Sequence, residues 1–289
     1  MRAKRNLIAV ISGTTSGIGV AVASALHREG WQVIGVNRNP SLLKQELGEG
    51  YAELIVGDSL EDYESIGKQL ATITSHINFV FCNAGYGLQV AMEDAQLDAL
   101  ERMMRVNVTL AVALANGALP LMFAAPTPSR RPWLLFNSSV LGIESLAFRG
   151  PYAASKHALE AMATSYGIEL SGKVDVSTLQ LGPVGTGFRQ RALLEIKQSK
   201  LTGARLDYRR HIQRLANKNG ASDTPTHRVA DRVLSCLAGR RPARLRVGAK
   251  VFVVVVLKRL LSTNWMRAFL GSVEPAEEVR RIPPRLLDE

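Results

Sequence analysis

The sequence predicts an α/β fold: one domain, a doubly wound parallel sheet with helices on both faces. Three observations carry that prediction. Short apolar runs bounded by turn residues recur along the chain, the pattern of buried parallel strands. Segments with a helical pattern alternate with those runs, which gives strand–helix–strand units. The first such unit holds a glycine-rich turn at its strand–helix junction, where backbone N–H groups can receive a phosphate. Of the 289 residues, 46% are hydrophobic and 21% charged, which is the composition of a globular domain with a full-sized core.

In order, Leu7 to Ile11 is the first predicted strand. The turn Ser12-Gly13-Thr14-Thr15-Ser16-Gly17-Ile18-Gly19 follows, and then a helical run from Val20 to Arg28. Gly13 allows a tight turn, Gly17 lets backbone approach a pyrophosphate, and Gly19 lets the helix pack closely on the strand. Trp31 to Val36 is the second strand, ending in Asn37-Arg38-Asn39. An acid at this point would bind the 2′-hydroxyl of NAD, whereas an arginine accommodates the 2′-phosphate of NADP. Arg38 therefore predicts NADP.

Leu54 to Val56 reads as the third strand, followed by Gly57-Asp58. Leu60 to Ser75 is helical, and Phe79 to Phe81 is a fourth strand leading into Cys82-Asn83-Ala84-Gly85. Glu93 to Ala125 is a long, mostly helical stretch with Asn107 inside it, and Pro120 should bend it near its end. Pro126 to Pro132 is a Pro-rich surface loop, and Trp133 to Asn137 is a fifth strand ending in Ser138-Ser139. Pro151 to Leu170 reads as one helix, with Pro151 suited to its first turn. Val174 to Leu181 is a sixth strand, Thr226 to Leu237 a helix, and Leu245 to Val247 a last strand. In such sheets ligands bind outside the carboxyl ends of the strands. Gly13, Arg38, Asp58, Asn83, Ser139 and Pro183 all follow predicted strands, so they should gather on one edge.

The helix from Pro151 carries Tyr152-Ala-Ala-Ser-Lys156. Residues four apart share a helix face. An ammonium beside a phenol favours the phenolate and lowers its pKa, so the pair is a candidate general acid/base. His157, about 100° round the helix from Lys156, reads as structural.

The motifs, taken together, resemble those of the short-chain dehydrogenase/reductases, of the single-domain kind with a Rossmann-like fold. The resemblance runs from about Leu7 to Gly187. Ser12 to Gly19 is similar to T-G-x-x-x-G-I-G, with Ser12 in place of threonine. Cys82-Asn83-Ala84-Gly85 is similar to N-N-A-G, with Cys82 in place of the first asparagine. Leu181-Gly182-Pro183-Val184-Gly185-Thr186 is similar to P-G-x-V-x-T, with Leu181 in place of the first proline. The resemblance implies hydride transfer between a nicotinamide and a carbonyl or alcohol carbon. Tyr152 would be the acid/base, with Ser139 polarising the same oxygen. Lys156 would tune Tyr152 and hold the ribose, and Asn107 would position a relaying water. Ser139 is preferred to Ser138 because the family's serine lies thirteen residues before its tyrosine. Asp58 would contact the adenine. Gly13, Thr15, Ser16, Gly17, Ile18 and Gly19 would line the cofactor, as would Asn83, Ala84, Gly85, Pro183 and Val184, and Thr186 would hold the nicotinamide amide. No metal is expected.

The domain is expected to span 1–274, with a lid at about 187–220 and a poorly ordered tail at 275–289. Arg189 to Lys218 holds nine Lys/Arg and two acids. It reads first as a solvated lid, and second as a site for an anionic or acyl-carrier-linked substrate. An apolar and basic segment covers about 239–270, including Lys250-Val-Phe-Val-Val-Val-Val-Leu-Lys258. It is too short to span a bilayer. The reading favoured is a helix buried in the core, the lid or an oligomer interface; the other is peripheral contact with an anionic membrane. This segment and the residues after Cys82 look most like the steroid/retinol-dehydrogenase-like members, which implies a lipophilic substrate.

Net charge is +11 and the sequence pI is about 10.0, which favours anionic ligands, but no nucleic-acid recognition motif is present. Two distant cysteines, Cys82 and Cys236, give no disulfide framework and fit a reducing compartment. The apolar run after the basic Met1–Arg5 is too short for a signal peptide. The expectation is a cytoplasmic homo-oligomer acting on a small carbonyl or alcohol, with membrane association as the variant reading. The alternatives are a reductase of acyl-thioester ketones and a regulatory protein that senses NADPH without turnover.

Overall fold

The structure, a computed structural model, describes residues 7–126, 130–188, 192, 208, 211–213, 217 and 223–273. Seven parallel strands form one sheet in the order β3-β2-β1-β4-β5-β6-β7. They are β1 (Ile8–Ser12), β2 (Gln32–Asn37), β3 (Tyr51–Ile55), β4 (Phe79–Cys82), β5 (Trp133–Asn137), β6 (Asp175–Leu181) and β7 (Arg244–Val247). The order reverses between β1 and β4, and that switch point opens a crevice at the carboxyl ends of the strands.

Alternate residues of each strand face opposite layers. Ala9 and Ile11 point to the layer of α1 (Gly17–Arg28) and α7 (Thr226–Ala238), meeting Val22, Leu26, Val229 and Val233. Ile8 and Val10 point to the layer of α3 (Leu60–Ile73), α5 (Leu110–Phe123) and α6 (Gly150–Glu169). There α3 and α5 cross so closely that a Cβ on Gly67 would lie 2.9 Å from Gly117 Cα. The inner strands β1, β2, β4 and β5 are buried on both faces, which is why they read as apolar runs. Phe79, Phe81, Trp133 and Phe136 are fully buried; Trp133 stacks on Phe79 at 5.0 Å and donates its indole N–H to Ser177. Truncating one such ring to alanine costs about 3–5 kcal/mol.

Most predicted elements fall within a residue or two of the observed ones. The third strand starts earlier than expected, at Tyr51 rather than Leu54, because its first residues alternate with the polar Glu53. The long helix divides into α4 (Leu97–Met104), a π-helical turn (Arg105–Thr109) and α5, which runs through Pro120 and ends three residues later. Leu97–Phe123 is long and apolar enough to cross a membrane, but Val108, Ala111, Leu114, Ala118 and Met122 bury their side of it on the sheet. The favoured burial of the C-terminal segment in the core is not observed. Of α8 (Ala249–Leu260), only Val251 is buried. Most of the expected lid, and the tail, lie outside the described residues.

Candidate active site

The turn after β1 is shaped by its glycines. Gly13 and Gly17 have φ of 75° and 61°, which other residues adopt only with strain. A Cβ on Gly19 would lie 2.0 Å from the Gly13 carbonyl oxygen, so only glycine fits there. The result is a backbone cradle that suits a pyrophosphate at the N-terminus of α1. Thr15 lies exposed on its rim, Ser16 precedes the helix without capping it, and Ile18 packs toward the core.

A buried polar network fixes the cradle from below. Thr14 N–H donates to Asn37 Oδ1 at 2.7 Å, and Thr14 Oγ1 meets Tyr51 OH at 2.6 Å. Asn37 Nδ2 donates to Thr14 Oγ1 at 2.8 Å and to Glu53 Oε1 at 2.7 Å. Glu53 Oε1 also accepts from Ser41 N–H at 2.8 Å, while Ser41 Oγ donates to Thr14 O at 2.6 Å. A Cβ on Gly35 would collide with Tyr51 OH at 2.0 Å, so the phenol sits against bare backbone. Beyond this network, Arg38 pairs with Asp58 at 3.2 Å, both side chains about half exposed. The two residues expected at opposite ends of the adenosine therefore meet across that part of the edge.

Asn83 ties the cradle to the rest of the edge. Its Nδ2 donates to Ser12 O at 3.0 Å and Gly13 O at 3.2 Å, and its Oδ1 accepts from Asn137 Nδ2 at 2.9 Å. Ser12 Oγ accepts both Asn83 N–H and Ala84 N–H. At the other side, Lys156 Nζ donates to Asn137 O at 2.7 Å. Gly85 lies near both Asn107 and Lys156: a Cβ there would sit 2.9 Å from Asn107 Oδ1 and 3.7 Å from Lys156 Nζ.

Asn107 is fully buried in the π-helical turn, a form that concentrates at functional sites. Its Oδ1 accepts from Tyr86 N–H, and its Nδ2 donates to Tyr86 O and Ser155 Oγ, each at 3.0 Å. Ser139 Oγ accepts Leu141 N–H at 3.2 Å. Burial pushes the Tyr152 phenol up to about 12, against the lowering effects of the nearby Ser139 hydroxyl and of Arg149. Lys156 Nζ lies 5.6 Å from the Tyr152 ring centre and bonds elsewhere. The expected lowering of Tyr152 by Lys156 is not observed: the lowering influences are Ser139 and Arg149, and burial outweighs both. Burial also brings the Lys156 ammonium down to about 8, with Glu160 opposing. The neighbouring Ser138 Oγ points toward Gly142 and has no hydrogen-bond partner among the described residues, and His157 bonds the Ala153 carbonyl of its own helix. Ser139, not Ser138, therefore shares the site with Tyr152.

Residues 7–196 match the family model for short chain dehydrogenase, about two thirds of the chain. The chain belongs to the short-chain dehydrogenase family. Over 89% of its length it is 27% identical to the Helicobacter pylori "Probable short-chain type dehydrogenase/reductase VdlC", covering 94% of that protein. Retinol dehydrogenase 8 of Homo sapiens is 30% identical over 67% of this chain and 64% of its own length. A Burkholderia phymatum short chain dehydrogenase/reductase solved with NAD superposes with a TM-score of 0.76 at 19% identity, covering 90% of this chain and 95% of that one. A Streptomyces avermitilis short-chain dehydrogenase gives 0.74, also at 19% identity, covering 94% and 97%. The chain is a Rossmann-like, NAD(P)-dependent oxidoreductase, and the glycine cradle fits the nicotinamide cofactor this implies.

Further along this dehydrogenase's edge, Pro183, Val184 and Thr186 run beside the cradle. Val184 bridges to Thr224, and a Cβ on Gly17 would lie 3.1 Å from Thr186 Cγ2. Phe188 follows and tilts over Tyr152 with ring centres 5.4 Å apart. The predicted site residues therefore gather around the carboxyl ends of the strands. Sequence reasoning did not single out Thr14, Asn37, Ser41, Tyr51, Glu53, Asn137, Ser155, Glu160 or Phe188. Only Glu160, four residues after Lys156, carried a usable signal, because that spacing puts it on the same helix face.

Proposed function

We propose that the protein is an NADP(H)-dependent oxidoreductase that interconverts a ketone and a secondary alcohol, with a lipophilic, steroid- or retinoid-like substrate. The observation that carries this reading is Tyr152 with the Ser139 hydroxyl near it and Lys156 Nζ 5.6 Å from its ring centre. The cofactor, when bound, supplies or takes the hydride. Gly13, Gly17, Gly19 and Asn83 to Gly85 hold it from the cradle side, and Pro183, Val184 and Thr186 from the opposite side.

In the reducing direction Tyr152, protonated far above neutral pH, donates its proton to the carbonyl oxygen as that oxygen becomes an alkoxide. Ser139 donates a hydrogen bond to the same oxygen as a fixed dipole. Lys156 binds the ribose and stabilises the phenolate left behind. Asn107 fixes the Tyr86 backbone beside Gly85 and positions the water that returns a proton. Phe188 lies over the Tyr152 ring and gives the substrate an aromatic wall, which agrees with an apolar substrate. Arg38 supports NADP: its sequence neighbours Asn37 and Asn39 carry no charge to repel a 2′-phosphate, which would compete with Asp58 for the guanidinium. The likeness to human retinol dehydrogenase 8 supports the lipophilic class.

The test is an NADPH- and NADH-oxidation screen over ketones, from steroids and retinoids to short keto-esters, with Tyr152→Phe as control. Turnover of an apolar ketone with NADPH, abolished in the control, is the expected result. Tight NADPH binding without turnover of any carbonyl would leave a cofactor sensor instead. Selective use of keto-thioesters would move the substrate class.

A further inference from the structure

Helices α8 and α9 (Thr263–Val273) follow β7. α8 rests on the domain by one side. Val251 is buried, and Lys258 pairs with Glu144 at 3.2 Å and donates to the Ile143 carbonyl. The other side is apolar and open. Phe252, Val253, Val256 and Leu260 recur at the spacing of a single helix face, and they are 52% to 75% exposed. Trp265, on α9, is 70% exposed. Scattered apolar surface needs no explanation, but a contiguous stripe of this kind marks an interaction site.

Charge decides what covers it. Lys250 lies three residues before Val253, and Arg259 three after Val256, so both exposed cations border the stripe. Gly239 to Arg267 contains eight Lys/Arg and no acid. A two-fold contact with a second copy would set the cations beside the stripe, Lys250 and Arg259, against their own counterparts, and like charges facing each other cost affinity. An anionic lipid surface complements both features at once. Apolar side chains sink below the headgroups, lysine and arginine lie at phosphate level, and tryptophan favours the boundary. The twelve residues of α8 extend about 18 Å, too short to cross a hydrocarbon core of about 30 Å.

We propose that α8 and α9 seat the protein on an anionic lipid bilayer, lying in the plane of its surface. α8 also packs on the turn Val140–Gly142, directly after Ser139, so docking brings the bilayer near the substrate side of the crevice. The docking itself does not depend on the proposed reaction.

The full chain is mixed with vesicles of phosphatidylcholine alone, or of phosphatidylcholine with phosphatidylglycerol, and sedimented. Binding to the mixed vesicles only is expected, weakening as salt rises. A blue shift of tryptophan emission should accompany it and vanish in Trp265→Phe. Phe252→Ser with Val256→Ser should weaken binding at least tenfold, an order-of-magnitude expectation for two lost apolar anchors. Lys250→Gln with Arg259→Gln should weaken it by about twentyfold, roughly fivefold per cation. Unchanged NADPH affinity and thermal midpoint show that both variants fold. Failure to bind any vesicle, or equal binding to neutral and anionic ones, overturns the proposal. A dimer dissolved by the serine pair, without vesicle binding, gives the face to a second copy.

Discussion

The crevice has two halves that differ in how far the chain completes its own bonding. On the adenosine side, Thr14, Asn37, Ser41, Tyr51 and Glu53 satisfy one another in a closed network under the glycine cradle. On the catalytic side, Asn137 Oδ1 and Ser138 Oγ are buried without a partner, and Lys156 donates to one carbonyl among the described residues. Asn83 bridges the halves through Ser12, Gly13 and Asn137. A network that closes on itself holds backbone rigidly, which is what a phosphate cradle needs. Groups with bonding capacity to spare are costly in a finished core, but they suit a place where protons and ligands come and go. The first half should govern binding and stability, and the second the rate.

The largest expected effect tests that division directly. Tyr152→Phe should lower kcat by about two to four powers of ten, the usual contribution of a positioned acid/base. Cofactor Kd and thermal midpoint should stay at wild-type values. Glu53→Ala should do the reverse. It removes the acceptor of the Ser41 N–H and one of the acceptors of Asn37 Nδ2, at a cost of about 1–3 kcal/mol, or roughly 2–4 °C in Tm per kcal/mol. Cofactor KM should rise several-fold while kcat at saturation changes little. Steady-state kinetics and a melting curve decide it: a loss of kcat in Glu53→Ala comparable to that in Tyr152→Phe would erase the distinction.

This division also explains what the sequence could reveal. Strands buried on both faces announce themselves as apolar runs, so β1, β4 and β5 were legible. Gly13, Gly17 and Gly19 stand out because the backbone tolerates nothing else there. Tyr152 and Lys156 stand out because helix spacing joins them. The network under the cradle was silent: Tyr51 and Glu53 lie on an edge strand with no continuous apolar run, and only the sheet register brings them to Thr14. Asn137 is likewise invisible, because Lys156 uses its backbone carbonyl and not its side chain. The π-helical turn around Asn107 has no period to detect. On the C-terminal helix, apolar content does not mean burial in this chain's own core, and composition cannot say which side of a helix finds a partner.

Arg38 sharpens the comparison at the outer rim of the first half, where bonding is least settled. It is exposed and already paired with Asp58, so a 2′-phosphate would compete with that carboxylate for the guanidinium. Charge-assisted hydrogen bonds contribute about 1.5–3 kcal/mol net, and the competition draws the result to the low end. NADPH should be preferred over NADH about tenfold in kcat/KM. Arg38→Ala should remove most of that preference and leave NADH use nearly unchanged. Measuring both cofactors with both proteins is sufficient, and equal wild-type values would mean that the Arg38–Asp58 pair persists with cofactor bound.

The smallest effect lies deepest in the second half. Burial lowers Lys156 to about 8, and Glu160, one turn further along α6, raises it in opposition. Glu160 is itself held by Thr178 Oγ1 and Gln180 Nε2, each at 3.1 Å. If the charged Lys156 supports proton donation by Tyr152, reductive kcat/KM should be full below about pH 8 and fall above it. Glu160→Gln keeps one acceptor oxygen and removes the charge, so the fall should begin at lower pH, with the rate well below that pH nearly unchanged. Stability carries the opposite sign. Lys156 loses its proton more readily when folded than at its ordinary value of 10.5, so between those two values the unfolded chain holds more protons and unfolding becomes harder as pH rises. Glu160→Gln should extend that window downward. A pH–rate profile and melting curves over the same range measure both. If the inflection stays in place in Glu160→Gln, a group other than Lys156 sets it, and the catalytic half is governed by something outside this pair.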